Sequence, residues 1–543
     1  MGFGVKTKHP STPSDTPTSF VAQHQADVIG VLSGFDRLRF RGSLPPLYHP
    51  RTMDAYLQVK GLLFKDFKEF ALDLTARIKA AAQRLAEVAG RPFRYLASCN
   101  TRKETLAREL IAQDRLQEGL IGVFGCVEPC RTYFLCGNRQ TKKLEFKLQS
   151  GKCQHFYFYH LHPEFGLMHL RLQSWFPFLV QICLNGREWL SRQMDRYDLA
   201  YAKKENCFTA LGHVKGAQRL MDKQVEINWP DQLDYLLRKN HPLATEICQP
   251  LSLHYYWTAE ESEYATDILF RSPAPLGRIY PALVRHAITS FSSAEVMRFL
   301  GHRVAMHGKV RGNFKGEVVS DLKERPEGIR VKHSLNANSI KMYDKQGSVL
   351  RIETTINQTR DFRVFREAQI GPHGRAHNDG KKAWRILRRG VADLKRRAQV
   401  SHAANERYLT ALSATSGKVP LFQWVQEVCK PVRCDGRRFR ALNPWSPQDA
   451  ALLQAINRGE FAINGFRNRD LRALLYQGKA AAPELRRRSS AVTRKLVLLR
   501  AHGLIKKISG THRYVLTTKG STIITAVLAA RQANINELTK MAA

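Results

Sequence analysis

Between residues 446 and 516 the spacing of apolar side chains changes from helical to alternating, and this change constrains the local fold more tightly than any other feature of the chain. Ser446-Pro447 opens a helix predicted to run to about Arg458, and Asn468 reads as the N-cap of a second one carrying Leu471, Leu474 and Leu475. A third helix, predicted over about 489–502, keeps Val492, Leu496 and Leu499 on one stripe. Gly503 ends it, because a helix C-terminus favours a left-handed residue. Leu504-Ile505-Lys506-Lys507-Ile508, the turn Ser509-Gly510-Thr511 and His512-Arg513-Tyr514-Val515-Leu516 then read as a β-hairpin.

Three helices followed by a hairpin resemble the winged-helix DNA-binding family. The run Leu498-Leu499-Arg500-Ala501-His502-Gly503-Leu504-Ile505-Lys506-Lys507 with Thr511-His512-Arg513-Tyr514-Val515-Leu516-Thr517 is similar to its MarR-like branch. The resemblance implies that the third helix enters a major groove. Arg486, Arg487, Arg488, Ser490, Thr493, Arg494 and Lys495 would then reach phosphates and base edges, and Arg513 on the wing would follow the backbone. Charge points the same way: residues 431–520 hold 19 Lys and Arg against 5 Asp and Glu, and the whole chain carries a net charge of +39. An excess of bases spread over folded domains, with 43% hydrophobic residues to give each a core, predicts a polyanionic partner. The other use of a winged helix is protein contact.

A chain of 543 residues, at roughly 150 per domain, has room for about three or four domains. Residues 1–25 read as a disordered Ser/Thr/Pro arm, 26–254 as an α/β domain with aromatic-rich strands, 255–370 as an α+β domain, 371–430 as a basic helical linker region and 431–543 as the winged-helix domain. The fold class is thus a multidomain α/β and α+β body with a C-terminal winged helix-turn-helix. A βαβ unit is expected from the strand at 93–97, the helix at 103–117 and the strand at 120–124. After the Gly/His/Asn loop 371–380, Trp384, Leu387, Val391 and Leu394 are spaced as one helix, with Arg385, Arg388, Arg389, Lys395, Arg396 and Arg397 forming a positive face that binds nucleic acid. Ten scattered cysteines, no apolar leader and no apolar stretch near 20 residues predict a reducing cytoplasmic setting and no membrane partner.

Several constellations can carry chemistry. Asp36, Asp267 and Glu353 each sit at a strand, and strand-borne carboxylates can hold Mg²⁺ or Mn²⁺ for phosphodiester cleavage; alternatively they pair with neighbouring arginines. In Leu350-Arg351-Ile352-Glu353-Thr354-Thr355-Ile356, Arg351 and Glu353 share one face. The segment Asn338-Ser339-Ile340-Lys341-Met342-Tyr343-Asp344-Lys345 with Val349-Leu350-Arg351-Ile352-Glu353 resembles the core of filamentous-phage-type replication initiators, which implies a nucleic-acid-acting α+β fold. A second nicking chemistry would use His160 and His162 on one strand face to hold a metal, with Tyr197 and Tyr201, i and i+4 on a helix, as nucleophiles. Cys126, Cys130, Cys153 and His155, with Cys136 nearby, can form a structural zinc site or be buried thiols. The usual nucleotide-loop, zincin and serine-hydrolase motifs are absent.

Ser174-Trp175-Phe176-Pro177-Phe178, Gln181-Ile182-Cys183-Leu184-Asn185-Gly186-Arg187-Glu188-Trp189-Leu190 and Gly34-Phe35-Asp36 resemble an uncharacterised bacterial protein family carrying a similar C-terminal winged helix. The aromatic residues can stack single-stranded bases or form core. The sequence therefore predicts a nucleic-acid-binding protein acting on DNA in a mobile or replicating element. A metal-dependent nuclease or nickase, an RNA-binding component of a ribonucleoprotein and a non-catalytic transcription regulator are its alternatives.

Overall fold

Two long strands head two halves of the same plan. In the computed structural model, β1 (Val28–Ser43) is followed by helices Pro50–Val59 and Phe67–Val88, β2 (Phe93–Tyr95), helix Lys103–Asp114, and a meander of β3 (Gly119–Asn138), β4 (Lys143–His162), β5 (Gly166–Gln173) and β6 (Val180–Asn185). β6 returns to pair with β1. Helix Gly186–Arg196, the hairpin β7 (Tyr201–Lys204) and β8 (Cys207–Leu211), and helices Val214–Asp222 and Trp229–Asn240 lead to β9 (Tyr256–Phe270). Helices Pro273–Thr289 and Ser293–Phe299 and a second meander follow: β10 (Val318–Arg325), β11 (Gly328–Leu335), β12 (Asn338–Lys345) and β13 (Val349–Ile356). β13 returns to pair with β9. The structure describes residues 19–140, 142–301, 316–326, 328–367, 382–413, 421–434, 436–458, 461, 465–476, 478, 480–508 and 511–532.

The two halves share one mixed sheet of 11 strands, ordered β10-β11-β12-β13-β9-β1-β6-β5-β4-β3-β2. β1 and β9 join them, antiparallel from Val28 against Phe270 to Ser43 against Tyr256. The boundary placed at 254/255 is therefore crossed by a continuous ladder. Two cores flank the sheet, and both draw on both halves of the chain: Phe35, Phe156, Trp257, Leu269 and Val349 belong to one, and Phe20, Val28, Ile268, Met342 and Tyr408 to the other. β2 and β3 are parallel around helix Lys103–Asp114, which is the expected βαβ unit. The body is mixed α/β, and no described helix is long and apolar enough to cross a membrane.

Other expectations are corrected. Residues Phe20–Gln23 form a short helix, and Phe20 is buried in the second core, so the arm ends no later than Ser19; residues 1–18 and the loop 371–380 lie outside the described residues. The single helix expected across 384–397 is a strand, β15 (Ala383–Ile386), on β14 (Arg363–Arg366), followed by helix Leu394–Ser413. The helical spacing of Trp384 and Leu387 is coincidental. Trp384 packs edge-on against Phe365 and Phe461, and the Arg389 carbonyl and Gly390 pair with β9, which stops a helix from forming there.

The C-terminal region contains helices Pro447–Ile456, Asn468–Leu475 and Ala482–Ala501, the ladder of β18 (Ile505–Lys507) with β19 (Tyr514–Leu516), and helix Thr518–Gln532; β16 (Val432–Cys434) and β17 (Arg437–Phe439) precede them. Ser509 and Gly510 of the expected turn lie outside the described residues. The third helix begins at Ala482, earlier than the predicted 489, because Pro483 is compatible with a first turn. Arg467, not Asn468, is the N-cap of the second, and its N–H donates to the Asp470 carboxylate at 2.8 Å.

Candidate functional site

Where β1, β9 and β13 run side by side, one face of the sheet packs under helix Leu394–Ser413 through buried polar groups such as Thr354, Asn405 and Thr266, and the other gathers charges. Phe35 faces Tyr264 and Arg37 faces Glu263, so β1 has one residue more than β9 there, and Asp36 is that bulge residue. Gly186 lies against the bulge. A Cβ at this position would come within 1.9 Å of the Phe35 carbonyl oxygen, so only glycine lets the helix start there. Asn185 caps that helix, its Oδ1 accepting from the N–H groups of Arg187 at 2.8 Å and Glu188 at 3.0 Å. The Asn-Gly-Arg and Gly-Phe-Asp runs of the sequence thus meet beside a cavity of about 540 Å³ whose lining includes Asp36, Arg37, His169, Asn206, Glu263 and Lys345.

Register decides which carboxylates face this cavity. Arg351 lies opposite Asp267 and binds it through Nε at 2.6 Å and Nη2 at 2.9 Å, while Arg187 Nη2 approaches the same carboxylate at 3.0 Å. Both arginines are 0% exposed, so Asp267 is held as a counter-ion and is not available as a metal ligand. Burial opposes its charge, but Arg351 and Arg187 outweigh burial and keep its carboxyl below the ordinary range. Asp36 Oδ2 accepts from Asn206 Nδ2 at 2.6 Å and Arg351 Nη1 at 3.1 Å, while its buried Oδ1 has no hydrogen-bond partner. Burial pushes the Asp36 carboxyl up, Arg351 opposes the rise, and Glu353 adds to it.

Glu353 lies opposite Lys341, whose ammonium bridges it at 2.6 Å to Glu263 at 2.9 Å. Carboxylate oxygens of Asp36, Glu263 and Glu353 all fall within 4.8 Å of one another. Two of the three expected acids therefore converge, and Glu263 stands where Asp267 was expected. The sequence carried the signal, since Glu263 and Asp267 are four apart on one strand and share a face. Hard oxygens at this separation suit Mg²⁺ or Mn²⁺; Lys341 neutralises part of the charge on Glu263 and Glu353, while the buried Asp36 Oδ1 has no hydrogen-bond partner.

The second nicking set is not assembled. Helix Gly186–Arg196 ends at Tyr197, Asp198 takes φ 50°, and Tyr201 begins β7, so Tyr197 and Tyr201 share no helix face. Tyr201 instead donates to Asp195 at 2.8 Å. His160 Nε2 lies 2.6 Å from Asn240 Oδ1, and His162 Nδ1 accepts from the Glu164 N–H at 3.1 Å. Burial pushes His160 down to about 4.

The Cys/His set comes together in part. Cys130, Cys153 and His155 have donor atoms within 4.8 Å of one another, with the two sulfurs 3.2 Å apart. Cys126 is excluded because its thiol donates to Glu128 at 3.2 Å, and Cys136 is not in the group. Burial, aided by Arg171, pushes His155 down to about 4, leaving the neutral ring that zinc requires. Its Nδ1, however, lies 3.1 Å from the Cys153 carbonyl oxygen, and Nε2 is buried without a partner.

Among the residues expected to touch nucleic acid, burial separates two groups. On helix Ala482–Ala501, Arg486, Ser490, Thr493, Arg494 and Arg500 are exposed and fall on one face at helical spacing. No described carboxylate pairs with Arg486, Arg494 or Arg500, and Lys495 is half-buried. Arg487 and Arg488 pair with Glu484 at 2.7 and 2.9 Å. Thr493 is tied to Asn468, whose Nδ2 donates to its hydroxyl at 2.9 Å and to the Ser489 carbonyl at 2.8 Å. Arg513 is buried, its guanidinium 3.8 Å over the Phe365 ring, so it packs the ladder against β14 rather than reaching outward. Arg385 is half-buried on β15, Arg388 approaches Asp393 at 3.9 Å, and exposed Arg389 donates to Gln358 at 3.1 Å. Arg397, expected on the positive face, is 1% exposed and donates to Ser262 at 2.7 Å. No protein-family model matches the chain, and no curated protein or solved structure matches it.

Proposed function

We propose that this protein binds nucleic acid, with DNA of a mobile or replicating element as its target, and that its C-terminal region acts as a winged helix-turn-helix. The reading rests on the exposed face of helix Ala482–Ala501, where Arg486, Arg494 and Arg500, with no carboxylate partner among the described residues, stand beside Ser490 in a chain of net charge +39. Such a face can enter a major groove, with phosphate contacts giving affinity and arginine–guanine contacts giving discrimination. The test is binding to duplex DNA, single strands and structured RNA over a salt series. A steep negative slope of log affinity against log salt is expected, with duplex bound tightest. A flat slope for all three overturns the proposal, and preference for structured RNA replaces the target with a ribonucleoprotein RNA.

A second reading, metal-dependent phosphodiester cleavage, is favoured by one observation: Asp36, Glu263 and Glu353 converge beside the cavity, with Asp36 Oδ1 unpartnered. Mg²⁺ or Mn²⁺ held there would supply Lewis-acid stabilisation of a phosphoryl oxygen. Supercoiled plasmid and single strands should be cut in Mn²⁺ by the parent and by Tyr201→Phe, but not by Asp36→Asn or Glu353→Gln. Cleavage that survives both carboxylate changes removes this reading and leaves a binding protein or regulator without catalysis.

A further inference from the structure

At the outer end of the β3–β4 hairpin lies a second cavity, of about 480 Å³, whose walls are Phe64, Phe67, Tyr133, Phe134, Leu135 and Trp175. Its remaining lining residues include Lys65, Lys68 and Lys152, all exposed, and among the described residues no carboxylate lines the cavity or pairs with any of the three. The floor is a cluster of packed rings: Phe67 stands edge-on to Phe146 at 4.8 Å and to Trp175 at 6.0 Å, and Tyr133 stands edge-on to Phe146 at 5.7 Å. Phe134 is 38% exposed. Of the aromatic run Trp175-Phe176-Pro177-Phe178, Phe176 and Phe178 are core at 0% and 1% exposure, and Trp175 alone reaches this cavity.

Aromatic walls without an acid, ringed by three unpaired ammonium groups, complement a flat aromatic ring that carries negative charge beside it. A hydrocarbon chain would make no use of the lysines, and an ordinary core has none. We propose that this cavity receives an unstacked nucleobase, its ring against Phe134 and Trp175 and its flanking phosphates on Lys65, Lys68 and Lys152. The inference deepens the nucleic-acid reading and rests on it, but it shares no residue with the C-terminal helix. It adds a second contact, made only by single-stranded or locally opened strands, because a base paired within a duplex cannot present its face.

The test uses the full chain with four probes: dAMP, adenosine, a twelve-residue oligo(dT) and a DNA duplex without free ends. Phe134→Ala and Lys152→Glu, both at exposed positions, are each expected to weaken oligo(dT) binding about tenfold, the scale of one lost base stack, and to leave duplex binding unchanged. Oligo(dT) should quench parent fluorescence, and Trp175→Phe should lose most of that quench. If dAMP competes with oligo(dT) and adenosine does not, a free nucleotide satisfies the site; if neither competes at millimolar concentration, the strand is the ligand. The proposal is overturned if both variants bind oligo(dT) as the parent does, or if the parent binds duplex with the steep salt slope and does not bind oligo(dT). Failure of all nucleic-acid probes on the parent defeats instead the reading on which the inference rests, and the Arg486→Ala/Arg494→Ala pair, expected to weaken only duplex binding, separates the two.

Discussion

The centre of the sheet and the third C-terminal helix are both rich in arginine, yet the two regions use it in opposite ways. Arg187 and Arg351 are 0% exposed and hold Asp267 between them, with Asp36 on Arg351. Arg486 and Arg494 face solvent, and no described carboxylate pairs with either. A buried guanidinium must be matched by charge and hydrogen bonds inside the protein, whereas an exposed one can take an outside anion in place of water. The surplus of positive charge is therefore not uniformly exposed: part of it locks the sheet, part of it on the helix pairs with Glu484, and Arg486 and Arg494 face solvent.

The comparison breaks first, and with the largest effect, at Arg351. Arg351→Ala would leave Asp267 and Asp36 buried with too little compensation, and it is expected to lose about 3–5 kcal/mol in denaturant unfolding. Arg494→Ala should stay within about 0.5 kcal/mol of the parent in the same assay. Equal losses would dissolve the distinction. In DNA binding the order reverses: Arg494→Ala should cost about 1–3 kcal/mol if it reads a base. Arg513→Ala, buried over Phe365, should lower the midpoint of unfolding with the salt slope of binding unchanged.

Proton linkage sharpens the contrast between two buried acids. Burial opposes the charge of Glu128, but Arg171, the Cys126 thiol, Lys103 and Tyr157 outweigh it and bring the carboxyl from an ordinary 4.5 down to about 2. Its contribution to stability is present above pH 4.5 and is lost as pH falls through about 2. Unfolding of Glu128→Gln followed over that range should show a flatter acid limb than the parent. Asp36 has the opposite sign. Its folded value is raised above 3.8, so its contribution is present below 3.8 and lost as pH rises through the raised value. Asp36→Asn should remove that decline and be relatively more stable at neutral pH. The smallest effect belongs to the surface: Glu246→Gln, which breaks the exposed pair with Arg77, should change stability by less than about 1 kcal/mol and by less still in high salt.

Much of the local structure was legible because it depends on local spacing. The βαβ unit at 93–124 and the alternation of Arg351 and Glu353 against Ile352 and Ile356 follow from side-chain period, and the structure keeps both. Where local signals competed, they misled. Trp384 and Leu387 fit a helical stripe but lie on and beside a strand, Asn468 looked like a cap but ties two helices together, and Tyr201 was separated from Tyr197 by a turn at Asp198. The site was half legible: Asp36 and Glu353 were identified, but which of the two same-face acids of β9 meets them depends on register with β1 and β13, so Glu263 was missed and Asp267 taken in its place.

By itself the sequence determined the net positive charge, the order of helices and strands in segments such as 93–124 and 447–516, and which residue types were present to hold cations or phosphates. Only the tertiary structure decided which of those residues are spoken for. Pairing β1 with β9 and β9 with β13 put Arg351 on Asp267 and left Asp36 with an unpartnered oxygen, and packing against β14 turned Arg513 inward while leaving Arg494 outside. The reason is physical: charge and periodicity are properties of one segment, but desolvation and ion pairing depend on what another segment, hundreds of residues away, brings into contact.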